Sequence, residues 1–365
     1  APPPTASFSR GAVTMPQQRR IQIHVPPGMP IPADGIIFAE CPDLMGLTVV
    51  FRTPESRAHN PDRLNLDRRK LETCPQLEGE TQLRLLNYQN NQIRTISNLH
   101  NLPHLIFLDL YNNNVERIAH LEAVPALRVL MLGKNSISRI ENLSCCPKLD
   151  VLDLHSNNIS AIEGLSHLSE LRVLNLAGNK IESATNLESL VALTELNLRR
   201  NKITRVRGLD MLPSLQRLFL SNNALPDFGS VECVFGVGRL VELALDGNPL
   251  VGDDPAAYRQ AIVRRLRSVK HIDLRRVSEE ERRGAELQER REENRRMEHA
   301  RAQRAADARE YAIRAVQALW TKDIELQIQR AADRLAERAP SPSEGVDPDT
   351  EPVSQTAAAA AAAAT

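Results

Sequence analysis

From Leu83 onward the apolar residues fall into one fixed pattern, LxxLxLxxNxI. It restarts at Leu83, Leu105, Leu127, Leu149, Leu171, Leu193 and Leu215 in steps of 22 residues, and again at Leu240 after a step of 25. The alternating LxL has the period of a strand with one buried face. An asparagine follows in phase each time, at Asn91, Asn113, Asn135, Asn157, Asn179, Asn201, Asn223 and Asn248. One step before the series Pro61, Leu64, Leu66 and Leu71 keep the apolar positions while Arg69 replaces the asparagine, which predicts a capping unit. Units of this length cannot bury their apolar face alone, so they predict stacked coils that share one long core.

The pattern is that of a leucine-rich-repeat solenoid, an α/β fold with a parallel, concave β-sheet. In LRVLNL, Leu174 and Leu176 are expected to point into the core, and Val173, Asn175 and Ala177 outward. Each asparagine amide is expected to bond the backbone of neighbouring coils, forming a ladder. A return leg inside 22 residues has no room for a full helix, so turns or short 3-10 segments are expected on the convex side. The domain organisation that follows is a proline-rich extended arm over 1–60, with candidate short strands at 21–25 and 47–51, then about nine coils over 61–252. A cap follows over 253–276, with a helix opening at Asp253-Asp254-Pro255 and a last strand in VKHIDL. Ser278 and Glu281 have capping-box spacing and open one long helix over 277–338, charged at first and then amphipathic; a tail of disordered composition occupies 339–365.

Composition narrows the function. Of 48 leucines, 40 lie between Leu64 and Leu250, whereas aromatic residues make up only 3%. The 46 basic and 46 acidic residues sum to zero, which argues against a generic nucleic-acid binder. No apolar run reaches the ~18 to 20 residues of a membrane helix, so a soluble intracellular protein without membrane partners is expected. The five cysteines include no CxxC pair, and Cys146 replaces a leucine-type core position, so reduced thiols are expected. There is no phosphate loop, no nucleophile elbow and no histidine pair at metal spacing. The expectation is a protein that is not an enzyme and has no catalytic residues, cofactor or metal.

Candidate chemistry therefore lies on surfaces. The outward positions of the first five full coils bring together Phe107, Asp109, Tyr111, Val129, Met131, Val151, Asp153, His155 and Val173, an apolar patch dotted with acid that reads as a protein-binding face. In the last coils the face turns charged, and Arg199, Arg200 and Arg217 are candidates for receiving an acidic peptide, with Arg259, Arg264, Arg265 and Arg267 further along. In the long helix Ile313, Val316, Trp320, Ile324 and Ile328 recur every three or four residues, a stripe suited to a helix contact.

The 22-residue unit with its YRQAIVRRLRSVKHIDLRR cap resembles the phosphatase-1-regulator class of leucine-rich repeats, which includes an axonemal dynein light chain and the spliceosomal A-prime protein. More narrowly, LNLDRRKLETCP at Leu64 to Pro75 and IDLRRVSEEERR at Ile272 to Arg283 resemble the leucine-rich-repeat-containing protein 49 family, over residues 61 to 283. That resemblance implies a non-catalytic subunit of the tubulin polyglutamylase complex. The implied partners are a tubulin-tyrosine-ligase-like glutamylase, other complex subunits and tubulin or microtubules, in the cytoplasm and cytoskeleton at ciliary or flagellar axonemes and basal bodies. The alternative is a phosphatase-type regulator or another axonemal docking module.

Overall fold

The computed structural model describes residues 32–40 and 47–337. Two compact units make up the chain, Ala1–Glu289 and Arg290–Thr365.

The first unit is the solenoid. Its coils contribute β3 (Arg63–Asn65), β5 (Leu85–Asn87), β6 (Phe107–Asp109), β7 (Val129–Met131), β8 (Val151–Asp153), β9 (Val173–Asn175), β11 (Glu195–Asn197), β13 (Arg217–Phe219) and β14 (Glu242–Ala244). They form one parallel sheet in that order, extended by β15 (His271–Ile272) and closed by antiparallel β16 (Arg275–Arg276). Registers repeat unit by unit, so that Leu85, Phe107, Val129, Val151 and Val173 pair in sequence across neighbouring strands. The pairs Leu174 with Leu176 and Leu152 with Leu154 are fully buried, as the strand period requires. Away from the sheet the chain runs through turns, the short parallel pair β10 (Ser183–Ala184) and β12 (Arg205–Val206), and 3-10 segments at Leu209–Met211, Phe228–Gly236 and Pro249–Val251.

The asparagine ladder supplies the hydrogen bonds this geometry needs. Asn157 donates from Nδ2 to the Leu132 carbonyl of the preceding coil at 2.9 Å and to the Leu154 carbonyl of its own at 3.0 Å, while its Oδ1 accepts from Ile137 N at 2.9 Å. The same arrangement recurs from Asn91 to Asn248. In the first coil, where Arg69 stands at the ladder position, its backbone N–H donates to Asn91 Oδ1 at 2.9 Å. At the far end Asp273 Oδ1 receives Leu245 N at 2.7 Å, an N–H that earlier coils give to a backbone carbonyl, as Leu154 N does to Asn175 O.

The expected extended arm over residues 1–60 holds differently. Residues 21–25 lie outside the described residues. Among the described residues of this stretch, β1 (Ile36–Glu40) pairs antiparallel with β2 (Thr48–Arg52), close to the candidate strand at 47–51; β2 pairs parallel with β4 (Gln76–Leu77), and α1 (Pro54–His59) follows. The physical reason is the open end of the stack. Ile36, Val49 and Val50 are buried there, and Arg52, itself buried, pairs two-pronged with buried Glu80 and donates to the Arg63 carbonyl at 2.9 Å. The other end is closed by α2 (Pro255–Arg265), capped by the Asp254 carboxylate, which accepts from Ala256 N and Ala257 N at 3.0 Å each. Tyr258, Ile262 and Leu266 seal the last coil, and the Tyr258 hydroxyl donates to Asp273 at 3.0 Å.

The long helix α3 (Glu279–Glu337) starts at the capping box, where Ser278 N donates to Glu281 at 2.7 Å and Glu281 N donates to Ser278 Oγ at 3.1 Å. The first turns of α3 belong to the solenoid unit: Ala285 is buried, and Arg267 pairs with Glu289 at 2.8 Å. The expected tail over 339–365 lies outside the described residues. No helix among the described residues is long and apolar enough to cross a membrane.

Candidate functional site

The sheet face carries its outward side chains in columns. In the first column Leu85, Phe107, Val129, Val151 and Val173 are all half-buried and in register, giving an apolar strip five strands wide. At ~4.8 Å per strand it is about 20 Å long. At its N-terminal end Leu64, Leu85, Leu86 and Phe107 help to bound an open hollow of about 360 Å³. The column then turns charged, with Glu195 paired to Arg217 at 2.6 Å and Glu242 next in line.

The second column holds Asn87, Asp109, Met131, Asp153, Asn175 and Asn197. The structure gives its polar members a local task that the outward-facing reading misses. Each side-chain oxygen accepts from the backbone N–H two residues on: Asn87 from Gln89 at 2.8 Å, Asp109 from Tyr111 at 2.9 Å, Asp153 from His155 at 3.0 Å and Asn175 from Ala177 at 3.2 Å. These are Asx turns that carry the chain out of the strand. Asp109 is only 5% exposed and Asp153 only 8%. Burial pushes the Asp109 carboxyl above its usual range, against the opposing pull of the hydrogen bonds from Gln89 and Tyr111.

Beyond the strand ends Tyr111, Gly133 and His155 come together. His155 Nδ1 lies 2.8 Å from Asp153 Oδ1, and its ring sits 5.6 Å from that of Tyr111. Gly133 makes this possible, because a Cβ there would fall 2.3 Å from His155 Cε1. Lys134 Nζ lies 5.1 Å from the Tyr111 ring centre. Gly133 falls between Tyr111 and His155 in the column that the repeat register predicts, whereas the approach of Lys134 to the Tyr111 ring shows only in the structure. The result is a rim of hydrogen-bonding and aromatic groups beside the apolar strip. It suits contact with a protein surface, with Phe107, Met131 and Tyr111 as half-buried anchors.

The predicted basic group is dispersed among internal pairings. Arg199 stacks on Phe219 at 4.3 Å and Arg217 pairs with Glu195, whereas Arg200 occupies a left-handed turn position with φ of 55°. Arg259 binds Glu281 and the Ile272 carbonyl, and Arg265 pairs with Glu232 at 3.1 Å. Cys146 is fully buried and burial pushes its thiol up to about 12, so it behaves as a small core residue. Among the described residues no group of three or more His, Cys, Asp or Glu could hold a metal ion.

Family models agree with this geometry. A leucine-rich-repeat model matches residues 151–302, and a model of two leucine-rich repeats matches 81–123 and 125–167. The chain is a leucine-rich-repeat protein. No curated protein matches this leucine-rich-repeat chain. Among solved structures it is similar to an internalin, InlF, of Listeria monocytogenes, at 24% identity over 54% of this chain and 62% of that one, with a TM-score of 0.42. It is similar to a leucine-rich-repeat protein of Leptospira interrogans at 24% identity over 57% and 60%, with a TM-score of 0.46. It is also similar to the Drosophila melanogaster SNF/U2A′ complex at 27% identity over 38% and 79%, with a TM-score of 0.36. The chain spans about three fifths of the length of the first two structures.

Proposed function

We propose that this leucine-rich-repeat protein is a non-catalytic scaffold subunit of a tubulin polyglutamylase complex. It holds a partner protein against the apolar strip from Leu85 to Val173 and helps to place a tubulin-tyrosine-ligase-like glutamylase on microtubules of cilia, flagella and basal bodies. The observation that carries the binding reading is the strip itself, five apolar side chains in register and half-exposed on a sheet whose other face is fully packed. A soluble surface rarely keeps such a strip without a use for it. The reading of the complex is supported by the LNLDRRKL entry and RRVSEEERR exit segments, and the microtubule contact by basic residues of the last coils, of which Lys202, Arg205 and Arg207 lie near Arg200 in sequence.

Affinity purification of the full chain from ciliated cells, followed by crosslinking mass spectrometry, tests both parts. The expected result is a ligase-like glutamylase in the purified complex and a partner lysine crosslinked to Lys134, which adjoins the strip. Recovery of phosphatase or dynein subunits without a glutamylase contradicts the complex, and crosslinks confined to other faces contradict the strip. Co-sedimentation with microtubules is expected to fall with salt and in Arg200→Glu; salt-insensitive sedimentation contradicts the basic contact.

A further inference from the structure

Nine of the fourteen large apolar side chains exposed among the described residues lie in one stretch of α3, between Tyr311 and Leu335. Trp320 is 73% exposed and Leu335 71%. We propose that this stretch pairs antiparallel with the same stretch of a second copy of the chain, forming a two-helix interface centred near Trp320.

The spacing comes first. Ala302, Ile313, Ile324 and Leu335 are each eleven residues apart, with Val316, Trp320 and Ile328 between them. Eleven residues in three turns is ~3.67 per turn, close to the natural helix, so the stripe runs almost straight along one side instead of drifting around it. Over 302–335 it is about 50 Å long at 1.5 Å per residue. A strip of that length and ~12 Å width gives ~600 Å² per copy and ~1,200 Å² in total, enough for a specific interface.

Charge then selects the partner and its direction. Arg314 and Glu325 follow Ile313 and Ile324 by one residue, which puts both on one flank of the stripe; Asp323 and Arg334 precede Ile324 and Leu335 and lie on the other flank. In a parallel pair opposite flanks face each other, so Glu325 of one copy meets Asp323 of the other and repels it. An antiparallel pair brings like flanks together. Arg314 then meets Glu325 of the second copy, and by symmetry the reverse, giving two ion pairs from one arrangement. The same register sets Ile313 against Ile324 and the small Ala302 against the large Leu335, while Ile328 and Arg334 come beside Arg309 and Arg301 of the second copy towards the ends of the stripe. In the single chain Arg314 is paired with Glu310 on its own helix, four residues back, an exposed contact that an intermolecular partner readily replaces.

Light scattering of the full chain at micromolar concentration is expected to give a dimer, and Ile324→Glu a monomer with unchanged helix content by circular dichroism. Charge variants fix the direction. Arg314→Glu and Glu325→Arg are each expected to weaken the dimer about fivefold, and the double exchange to restore it. A parallel pair reverses the Glu325→Arg result, because the new arginine meets Asp323. Under mild oxidation Ile313→Cys combined with Ile324→Cys is expected to crosslink copies beyond the wild-type background, while either change alone is not. A monomer, a higher oligomer, or a dimer strengthened by Glu325→Arg overturns the proposal. Each of these outcomes leaves the concave-face reading untouched, since none involves the strip.

Discussion

The first five full coils and the three that follow are built alike inside and differently outside. Both sets bury the same two apolar positions per strand, leucines throughout except for Tyr88 in the first coil, and hang on the same asparagine ladder, with Asn157 and Asn223 making equivalent bonds about 2.9 Å long. On the outer face, Val129, Val151 and Val173 give way to Glu195, Arg217 and Glu242, and Glu195 pairs there with Arg217. The inner positions are dictated by stacking and vary little. The outer ones are free of that demand, and the half-buried apolar strip on one stretch of an otherwise polar face supports the proposed binding site.

If the inner side is uniform, the ladder should matter equally in both regions. Asn157→Ala and Asn223→Ala each strip two buried carbonyls and one N–H of their partners, an expected loss of ~3 to 5 kcal/mol apiece by denaturant unfolding. A gap of several kcal/mol between the two breaks the comparison. Next in size is Gly133→Ala, whose new methyl has to displace the His155 ring; because that ring is half-exposed and can swing out, a cost of about 1 kcal/mol is expected, read from stability and from the histidine's NMR shift. Arg217→Ala, in the charged region, removes an exposed pair with Glu195 and should cost less than ~1 kcal/mol.

The smallest effect concerns Asp109 and pH. Its folded carboxyl holds its proton to higher pH than the unfolded one, so the folded state binds more protons above the ordinary value of 3.8. Wild-type stability should therefore decline as pH rises from there, relative to Asp109→Asn, whose amide keeps an oxygen for the Tyr111 N–H. Parallel stability profiles for the two proteins would show that the site does not desolvate the carboxylate.

Much of this fold is legible in the sequence because each coil repeats a local rule: a strand of period two, an amide at a fixed offset, a capping box at Ser278. The cap helix shows itself through Pro255 and the spacing of Tyr258, Ile262 and Leu266. What stays hidden depends on contacts far apart in the chain. Of the hairpin, β2 is anticipated by the candidate strand at 47–51, but its partner β1 is obscured by flanking prolines, and the two strands are held by β4 and by the Arg52 to Glu80 pair, 28 residues apart. Asp273 aligns with Asp153 in the repeat, and only the structure shows its carboxylate taking the Leu245 N–H that a backbone carbonyl takes in other coils. On the candidate site the columns follow directly from register, yet the Asx turns of Asp109 and Asp153 are invisible, because the same residue type serves a turn or a partner equally well.

The central claim is that the apolar strip binds a partner while the fold does not need it. The most direct measurement compares the tagged wild-type chain with Phe107→Glu combined with Val151→Glu, scoring co-purified complex subunits and the melting temperature together. The account predicts loss of the subunits with a melting temperature close to wild type, since both side chains already face solvent in part. Undiminished co-purification by a folded variant would contradict it.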